Sequence, residues 1–179
     1  GLPGSPPAAV LRCSHKYYSR MAQAASVPDA TPAFELVRGD REAPVSPATG
    51  YPCFVKPVKG AFSIMSGKIP TRTDLEAFLT RPETRAFLED YLGLFNRLVR
   101  RYTDFEVDGS AFLLESFLHG QQVTVEGWVR QGRSGLLGVV DSVMHPEVPS
   151  FARFDYPSAL RPEVAARAWD IARTTALEV

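Results

Sequence analysis

The sequence of 179 residues predicts an α+β fold, which combines helices with antiparallel strands. Three observations support this class. Residues 87–102 carry apolar side chains at three- and four-residue spacing, the pattern of a helix with one buried face. The stretch AFLLESFL, residues 111–118, is nearly all apolar, as in a strand buried on both faces. Two further apolar runs flank the turn RQGRSG and predict a β-hairpin.

Length and composition limit the function classes. The chain is long enough for one domain with a hydrophobic core or for two small subdomains, and its hydrophobic content is 45%. Twenty basic and twenty acidic residues cancel, so the net charge favours neither nucleic acid nor an anionic membrane as a partner. No apolar run approaches the roughly 20 residues of a membrane span. The two cysteines have no C-x-x-C spacing, which predicts a cytoplasmic protein without a disulfide framework.

The N-terminal half predicts a short helix followed by strands. The first thirteen residues, GLPGSPPAAVLRC, are rich in glycine and proline and predict a connector. Ser14 is the predicted N-cap of a helix that extends to about Ala25. The elements predicted next are a strand at 34–37, a polar proline-broken loop at 39–50, a strand at 51–58 and a strand at 63–69. Pro52 and Pro57 leave two alternatives for the strand at 51–58. Either the strand lies at an edge of the sheet, or the two prolines lie at the ends of the strand.

The following elements are predicted from capping and turn signals. Thr73 with Glu76 and Thr80 with Glu83 form two candidate capping boxes, so two helices are expected to begin there, the second extending to about residue 102. The strand at 111–118 and the hairpin come next. Residues 145–160 predict irregular structure, and Pro162 begins a last helix.

The stretch FVKPVKGAFSIMSGK, residues 54–68, carries three lysines and no acid. It contains neither the Walker spacing nor a GxGxxG fingerprint. A strand lysine, Lys56, precedes a small turn from Gly60 to Ser63 whose amides and hydroxyl could enclose an anion. The pattern therefore favours a phosphate site, and a solvated surface hairpin remains the alternative.

Glu115 is a carboxylate inside an apolar strand, where burial is unfavourable unless a partner satisfies it. One interpretation is functional: an acceptor at Glu115, with free backbone groups at Ser116 and Leu118, could bind the edge of a purine. The other is structural: Glu115 pairs with a nearby lysine. The sequence leaves both open.

The order of these motifs resembles the ATP-grasp family. The motifs are a lysine in a short helix (HKYYSRMAQAASVPDATP), a strand lysine with a glycine–serine turn (FVKPVKGAFS), two helices, and a strand ending in Glu followed by G-x-x-V-x-V-E-G. The resemblance extends from about Gly1 through the last helix. It implies a carboxylate–amine ligase type of ATP-grasp protein, incomplete at both ends.

The resemblance implies ATP-binding roles for eight residues. Those implied to contact phosphate are Lys16, Lys56, Gly60 and Ser63, and those implied to contact adenine or ribose are Lys56 again, Glu115, Ser116, Leu118 and Gln122. Two positions depart from the family pattern. Gln122 stands where the family usually has a ribose-binding carboxylate, and an amide accepts a hydroxyl proton without carrying charge. Met65 stands where many members have glycine.

The resemblance also implies a division of the chain. Residues 1–33 would be a connector and helix from a preceding domain, 34–118 the lid subdomain, and 119–179 the first part of the larger C-terminal subdomain, with ATP between the last two. Family members bind Mg²⁺ through a late glutamate and an E-x-N pair beyond the helix that ends this sequence. No metal ligand is therefore predicted here, and Mg²⁺ is expected only for a complete enzyme.

The function implied is that of an ATP-binding fragment of an ATP-dependent carboxylate–amine ligase, acting through an acyl phosphate. Its partners would be the nucleotide and a small carboxylate, with a homodimer left open. One alternative is a non-catalytic remnant that serves as a nucleotide-binding or protein-interaction module. Another is a nucleotide-independent scaffold, in which the lysine hairpin is an ordinary surface feature. Whether the chain is itself an enzyme stays open.

Overall fold

A computed structural model of the chain describes residues 4–38, 43–44, 46–146 and 150–178. Part of the polar loop predicted at 39–50, part of the irregular stretch predicted at 145–160, and both ends of the chain lie outside the described residues. The chain divides into two compact units. The first comprises residues 1–21 and 32–117, and the second comprises residues 22–31 and 118–179. The predicted assignment of segments to a lid and a larger subdomain stays a prediction.

The helices and strands follow one another in mixed order. The α-helices are α1 (Pro7–Ser14), α2 (Lys16–Ser26), α3 (Arg72–Thr80), α4 (Pro82–Ala86), α5 (Gly93–Tyr102) and α6 (Pro162–Glu178). A 3₁₀ turn at Pro28–Ala30 follows α2, and a π-helical turn at Phe87–Tyr91 follows α4. The strands are β1 (Phe34–Val37), β2 (Cys53–Pro57), β3 (Gly67–Ile69), β4 (Phe112–Ser116), β5 (Val123–Arg130), β6 (Arg133–Met144) and β7 (Phe151–Asp155).

The first unit contains a four-stranded antiparallel sheet in the order β1-β4-β2-β3. Its central strand β4 is buried, as its apolar sequence predicts, and β1 coincides with the predicted strand at 34–37. Strand β2 is interior, and Pro57 is its last residue. The alternative in which proline lies at the end of the strand is thus confirmed. An interior strand tolerates a residue without a backbone N–H only at its end.

The two faces of this sheet have different cores. Phe112 and Leu114 lie on one face, where they join a cluster with Val55, Leu75 and Phe78. Leu113 and Glu115 alternate with them along β4 and so belong to the opposite face. On that face Leu113 packs with residues that include Tyr17 of α2. Helix α2 therefore covers the sheet face to which Glu115 belongs.

The second unit contains a three-stranded antiparallel sheet in the order β5-β6-β7, with α6 packed against it. The predicted hairpin is confirmed: Gln131 and Gly132 connect β5 to β6, with φ values of +53° and +72°. Two successive residues of positive φ match the right-handed twist of a hairpin. At Gly127 an added Cβ would lie 2.8 Å from the backbone oxygen of Gly135 and 3.1 Å from the Trp169 ring, so glycine permits close packing of α6 there.

Three N-terminal predictions are wrong in detail. Helix α1 lies within the predicted connector, because proline is tolerated in the first turn of a helix and Leu11 is buried. Ser14 is the last residue of α1 and not the N-cap of the next helix. The strand predicted at 63–69 is shorter, because Ser63 and Met65 have φ values of +55° and +48°, which turn the chain before β3.

Both predicted capping boxes are displaced. Helix α3 is capped by Thr71, whose hydroxyl accepts from the Asp74 N–H at 3.3 Å. Thr80 is the last residue of α3 and its hydroxyl donates to the Glu76 carbonyl at 2.8 Å, while Arg81 precedes α4. The predicted second helix ends at Tyr102 as expected, although it is interrupted at Leu92.

Strand β7 lies where irregular structure was predicted. Its two phenylalanines are three residues apart, so the sequence lacks the alternation that marks a strand. Residues 151–155 form a strand because they pair with β6. The last helix begins at Pro162 as predicted.

Candidate functional site

Helix α2 and strands β2 and β4 bring four charged side chains together in the first unit. We call Lys16, Arg20, Lys56 and Glu115 the cationic cluster. Lys56 is paired in register with Leu113, and Phe54 with Glu115, so the lysine and the glutamate share one face of the sheet. With three cations and one anion, the cluster has excess positive charge even though the whole chain is formally neutral.

Lys16 is the first residue of α2 and is tied to the turn after β2. Its Nζ donates to the Gly60 carbonyl at 2.7 Å, and its backbone N–H donates to the Val58 carbonyl at 2.8 Å. Burial, followed by the positive charges of Lys56 and Lys59, lowers the pKa of Lys16 from 10.5 to about 8, and the negative charge of Glu115 opposes this shift. Because a nearby anion would favour the charged form, Lys16 has the properties expected of an anion-binding lysine.

Lys56 and Glu115 form a largely buried ion pair. The Lys56 Nζ lies 2.5 Å from Oε2 of Glu115, and the Glu115 side chain is 7% exposed. Burial lowers the pKa of Lys56, and the charge and hydrogen bond of Glu115 oppose this shift. The sequence left open whether Glu115 binds the edge of a purine or pairs with a nearby lysine. The structure contains the lysine pair, and the role of Glu115 toward a nucleotide stays a prediction.

Arg20 is the member of the cluster that the sequence reasoning missed. Its Nε and Nη2 both lie 2.6 Å from Oε1 of Glu115. A signal was present, since Lys16 and Arg20 are four residues apart and therefore share one face of a helix. That spacing predicts that both residues act at the same place once α2 packs on the sheet.

The turn after β2 joins Lys16 to an exposed loop. A Cβ at Gly60 would lie 2.9 Å from Cγ of Pro57 and 3.2 Å from Cγ2 of Ile64, so this turn has no room for a larger residue. Residues 61–64 are exposed, and Phe62 and Ser63 have φ values of +54° and +55°. The predicted phosphate-enclosing turn is thus an exposed, tightly bent segment whose first residue contacts Lys16.

We expect Gly60→Ala to destabilise the first unit by about 1–3 kcal/mol, because the added methyl group overlaps Pro57 and Ile64. Thermal unfolding followed by circular dichroism measures the loss. Gly4→Ala is the matched control, since a Cβ there has no neighbour within 4 Å. Equal midpoints for Gly60→Ala and the unmodified chain would contradict the packing of this turn.

The remaining predicted residues divide between the two units. The Ser116 N–H donates to the Ala33 carbonyl at 3.0 Å, so this donor is not free as the purine-edge interpretation assumed. Leu118 and Gln122 belong to the second unit. Both are exposed, and the Gln122 carbonyl accepts from the Ser142 N–H at 2.9 Å. Their roles toward a nucleotide stay predictions.

Two other buried polar residues have structural partners. Asp141 accepts hydrogen bonds from the Ser158 hydroxyl and, at 3.0 Å, from the Ala159 N–H, which lower its pKa and hold the chain that follows β7. His15 is fully buried, and its Nε2 lies 3.2 Å from the Asp108 carbonyl oxygen. Burial lowers the pKa of His15, which favours the neutral ring.

The described residues contain neither a cluster of metal ligands nor a membrane-spanning helix. Among the described residues, no group of three or more His, Cys, Asp or Glu side chains is arranged to hold a metal ion. Within the described ranges, no helix is long and apolar enough to cross a membrane.

Comparison with known proteins identifies an α+β domain of the ATP-grasp class. A family model described as the ATP-grasp domain matches residues 49–161, and the chain belongs to this family. The family and the fold class predicted from the sequence are therefore confirmed. No curated protein matches the chain.

Solved structures of the same fold include several ligases. The L-amino acid ligase from Bacillus licheniformis has a TM-score of 0.68 and 22% identity, and the match covers 98% of this chain and 39% of the ligase. The VanG D-Ala:D-Ser ligase from Enterococcus faecalis has a TM-score of 0.64 and 14% identity over 95% of this chain and 46% of the ligase. A biotin carboxylase–beta-gamma-ATP complex from Campylobacter jejuni has a TM-score of 0.64 and 16% identity over 95% of this chain and 35% of the carboxylase. The chain thus spans less than half the length of these proteins.

Proposed function

We propose that the chain binds ATP and forms part of an ATP-dependent ligase that activates a carboxylate as an acyl phosphate. The observation that carries this proposal is the cationic cluster, in which Lys16 and Lys56 converge beside the turn at Gly60. Two lysines next to a turn rich in backbone amides suit a polyphosphate. Family membership supports the nucleotide, as does the nucleotide complex of the biotin carboxylase.

Each residue has a stated role in this proposal. Lys16 and Lys56 neutralise the phosphates, and the turn from Gly60 to Ser63 encloses the outer phosphates. Glu115 accepts a hydrogen bond from the adenine amino group, and the Ser116 carbonyl and the backbone of Leu118 complete the base contacts, since the Ser116 N–H is hydrogen-bonded to Ala33. Gln122 accepts from a ribose hydroxyl. We further propose a cytoplasmic location, since Cys13 and Cys53 are both free thiols.

The proposed reaction has two steps. A carboxylate oxygen of the small substrate attacks the γ-phosphorus of ATP, the bond to the β,γ-bridging oxygen breaks, and ADP leaves. An amine nitrogen then attacks the acyl carbon and loses a proton to solvent, and inorganic phosphate leaves with the former carboxylate oxygen. Such a reaction depends on positioning and on neutralising phosphate charge, so lysines and backbone amides suit it better than a nucleophilic side chain. The Mg²⁺ expected for a complete enzyme would supply further neutralisation of phosphate charge.

Titration calorimetry with ATP tests the binding site. We expect Lys56→Ala to weaken ATP binding roughly tenfold, because a charge-assisted contact to phosphate is lost. Arg100→Ala is the control, since it also removes one positive charge but from an exposed pair with Asp108. Its dissociation constant should stay within about twofold of the unmodified value. Equal binding by the unmodified chain and Lys56→Ala, or binding by neither, would count against the assigned site.

A further inference from the structure

The carboxylate of Glu115 has two cationic partners, one on each oxygen. Arg20 contacts Oε1 through both Nε and Nη2 at 2.6 Å, and Lys56 contacts Oε2 at 2.5 Å. The side chains of Arg20 and Lys56 are 19% and 20% exposed. Arg20 is not among the residues for which the family resemblance implied a role, and it contacts the cluster through Glu115.

The single ammonium group of Lys56 is needed for two contacts. It neutralises Glu115 in the structure, and under the proposed function it also contacts phosphate. If Lys56 were the sole counter-charge, its movement toward an anion would leave a buried carboxylate unpaired, which is strongly unfavourable. A second cation on Glu115 removes this conflict, because the carboxylate stays paired when the lysine moves.

We propose that Arg20 is a positioning residue that holds Glu115 as a paired carboxylate, so that Lys56 is released to bind the phosphates of the nucleotide. This inference rests on the proposed nucleotide site. Arginine suits the role because its guanidinium is always charged and presents two donors in a fixed geometry. Lysine in its place would compete with Lys56 as a single mobile charge.

The same contacts determine which hydrogen bonds Glu115 can accept from a ligand. Each carboxylate oxygen has two acceptor positions. The two Arg20 donors occupy those of Oε1, and Lys56 occupies one of the two on Oε2. Departure of Lys56 toward the phosphates leaves both acceptor positions of Oε2 to the amino group of adenine, while Arg20 keeps the carboxylate fixed in direction. Arg20 thus links the phosphate and base contacts without touching either.

The positive charge of Arg20 also acts on Lys56 directly. Burial lowers the pKa of Lys56, Glu115 raises it, and the charge of Arg20 lowers it again. Removal of Arg20 therefore raises the pKa of Lys56 and tightens its pairing with Glu115.

A double-mutant cycle tests the proposal, with variants Arg20→Gln, Glu115→Gln and the combination of both. We expect Arg20→Gln to weaken ATP binding about tenfold in the unmodified background. In the Glu115→Gln background, where no carboxylate needs a counter-charge, the same substitution should change the dissociation constant by less than about threefold. The pKa of Lys56, followed by NMR of ¹³C-labelled lysine side chains, should rise in Arg20→Gln. Arg20→Lys should lie between Arg20→Gln and the unmodified chain in affinity.

The outcomes separate this inference from the proposed function. If the unmodified chain binds ATP in a Lys56-dependent way and Arg20→Gln binds equally well, the positioning role is wrong while the nucleotide site stands. An equal loss in both backgrounds also overturns it, because Arg20 would then act independently of Glu115. Absence of ATP binding by the unmodified chain defeats the proposed function instead. Should Arg20→Gln fail to fold, Arg20→Lys and the combined variant still test the positioning role. An affinity of Arg20→Lys equal to that of the unmodified chain would contradict the requirement for two fixed donors.

Discussion

Replacement of Phe112 by alanine is expected to lower the free energy of unfolding of the first unit by about 3–5 kcal/mol. Phe112 is fully buried on the central strand β4, and its ring centroid lies 5.2 Å from that of Phe78 in a T-shaped contact. Truncation removes this contact and leaves a cavity between the sheet and α3 that the surrounding backbone can close only in part. Urea denaturation followed by far-ultraviolet circular dichroism measures the loss.

The control for Phe112→Ala is the same substitution at Phe62, which is fully exposed in the turn before β3. Its effect should stay within about 0.5 kcal/mol. Trp128 and Trp169 both belong to the second unit, so their fluorescence follows that unit separately. Comparable losses for Phe112→Ala and Phe62→Ala would contradict the described core.

The second large effect concerns pH. Raising the pH from 7 to 10 is expected to weaken ATP binding about 100-fold, because Lys16, with its pKa of about 8, loses its proton in the free protein. With a pKa of about 8, about nine-tenths of the Lys16 side chains are charged at pH 7, and about one-hundredth are charged at pH 10. Bound phosphate favours the charged form, so binding must take up a proton at high pH.

Lys16→Arg is the matched control, since arginine keeps its charge throughout this range. Its affinity for ATP should fall much less steeply between pH 7 and 10. Stability should respond in the opposite direction: the pKa of Lys16 is lower in the folded state than the usual 10.5, so the unfolded chain binds more protons between pH 8 and 10.5. The contribution of Lys16 to stability therefore rises with pH there while affinity falls. The same loss of affinity in Lys16→Arg would show that another group titrates.

The sequence was sufficient for most elements that have a strong local signal. The apolar run of β4, the hairpin of β5 and β6, and the start of α6 at Pro162 were all predicted, because burial on two faces, a tight turn and a first-turn proline leave local patterns. Strand β7 was missed because its two phenylalanines do not alternate with polar residues, and pairing with β6 determines its structure.

The candidate site was predicted only in part. Lys16, Lys56 and Glu115 could be named because lysines near a glycine turn and an acid in an apolar strand are unusual in sequence. Their mutual contacts could not be predicted, since these contacts depend on how α2 packs across β2 and β4. Arg20 was missed for the same reason: sixteen arginines occur in the chain, and only the packing of α2 distinguishes this one. The occupied N–H of Ser116 likewise depends on Ala33, which is distant in sequence.

The central claim is that the cationic cluster holds the phosphates of ATP, and lysine NMR tests it most directly. The chain contains only four lysines, Lys16, Lys56, Lys59 and Lys68, so selective ¹³C and ¹⁵N labelling gives four resolvable side chains. We expect ATP to shift the signals of Lys16 and Lys56 in a saturable way, with the same dissociation constant as calorimetry. Saturable ATP binding that leaves both of these lysines unshifted, or no binding at all, would contradict the account.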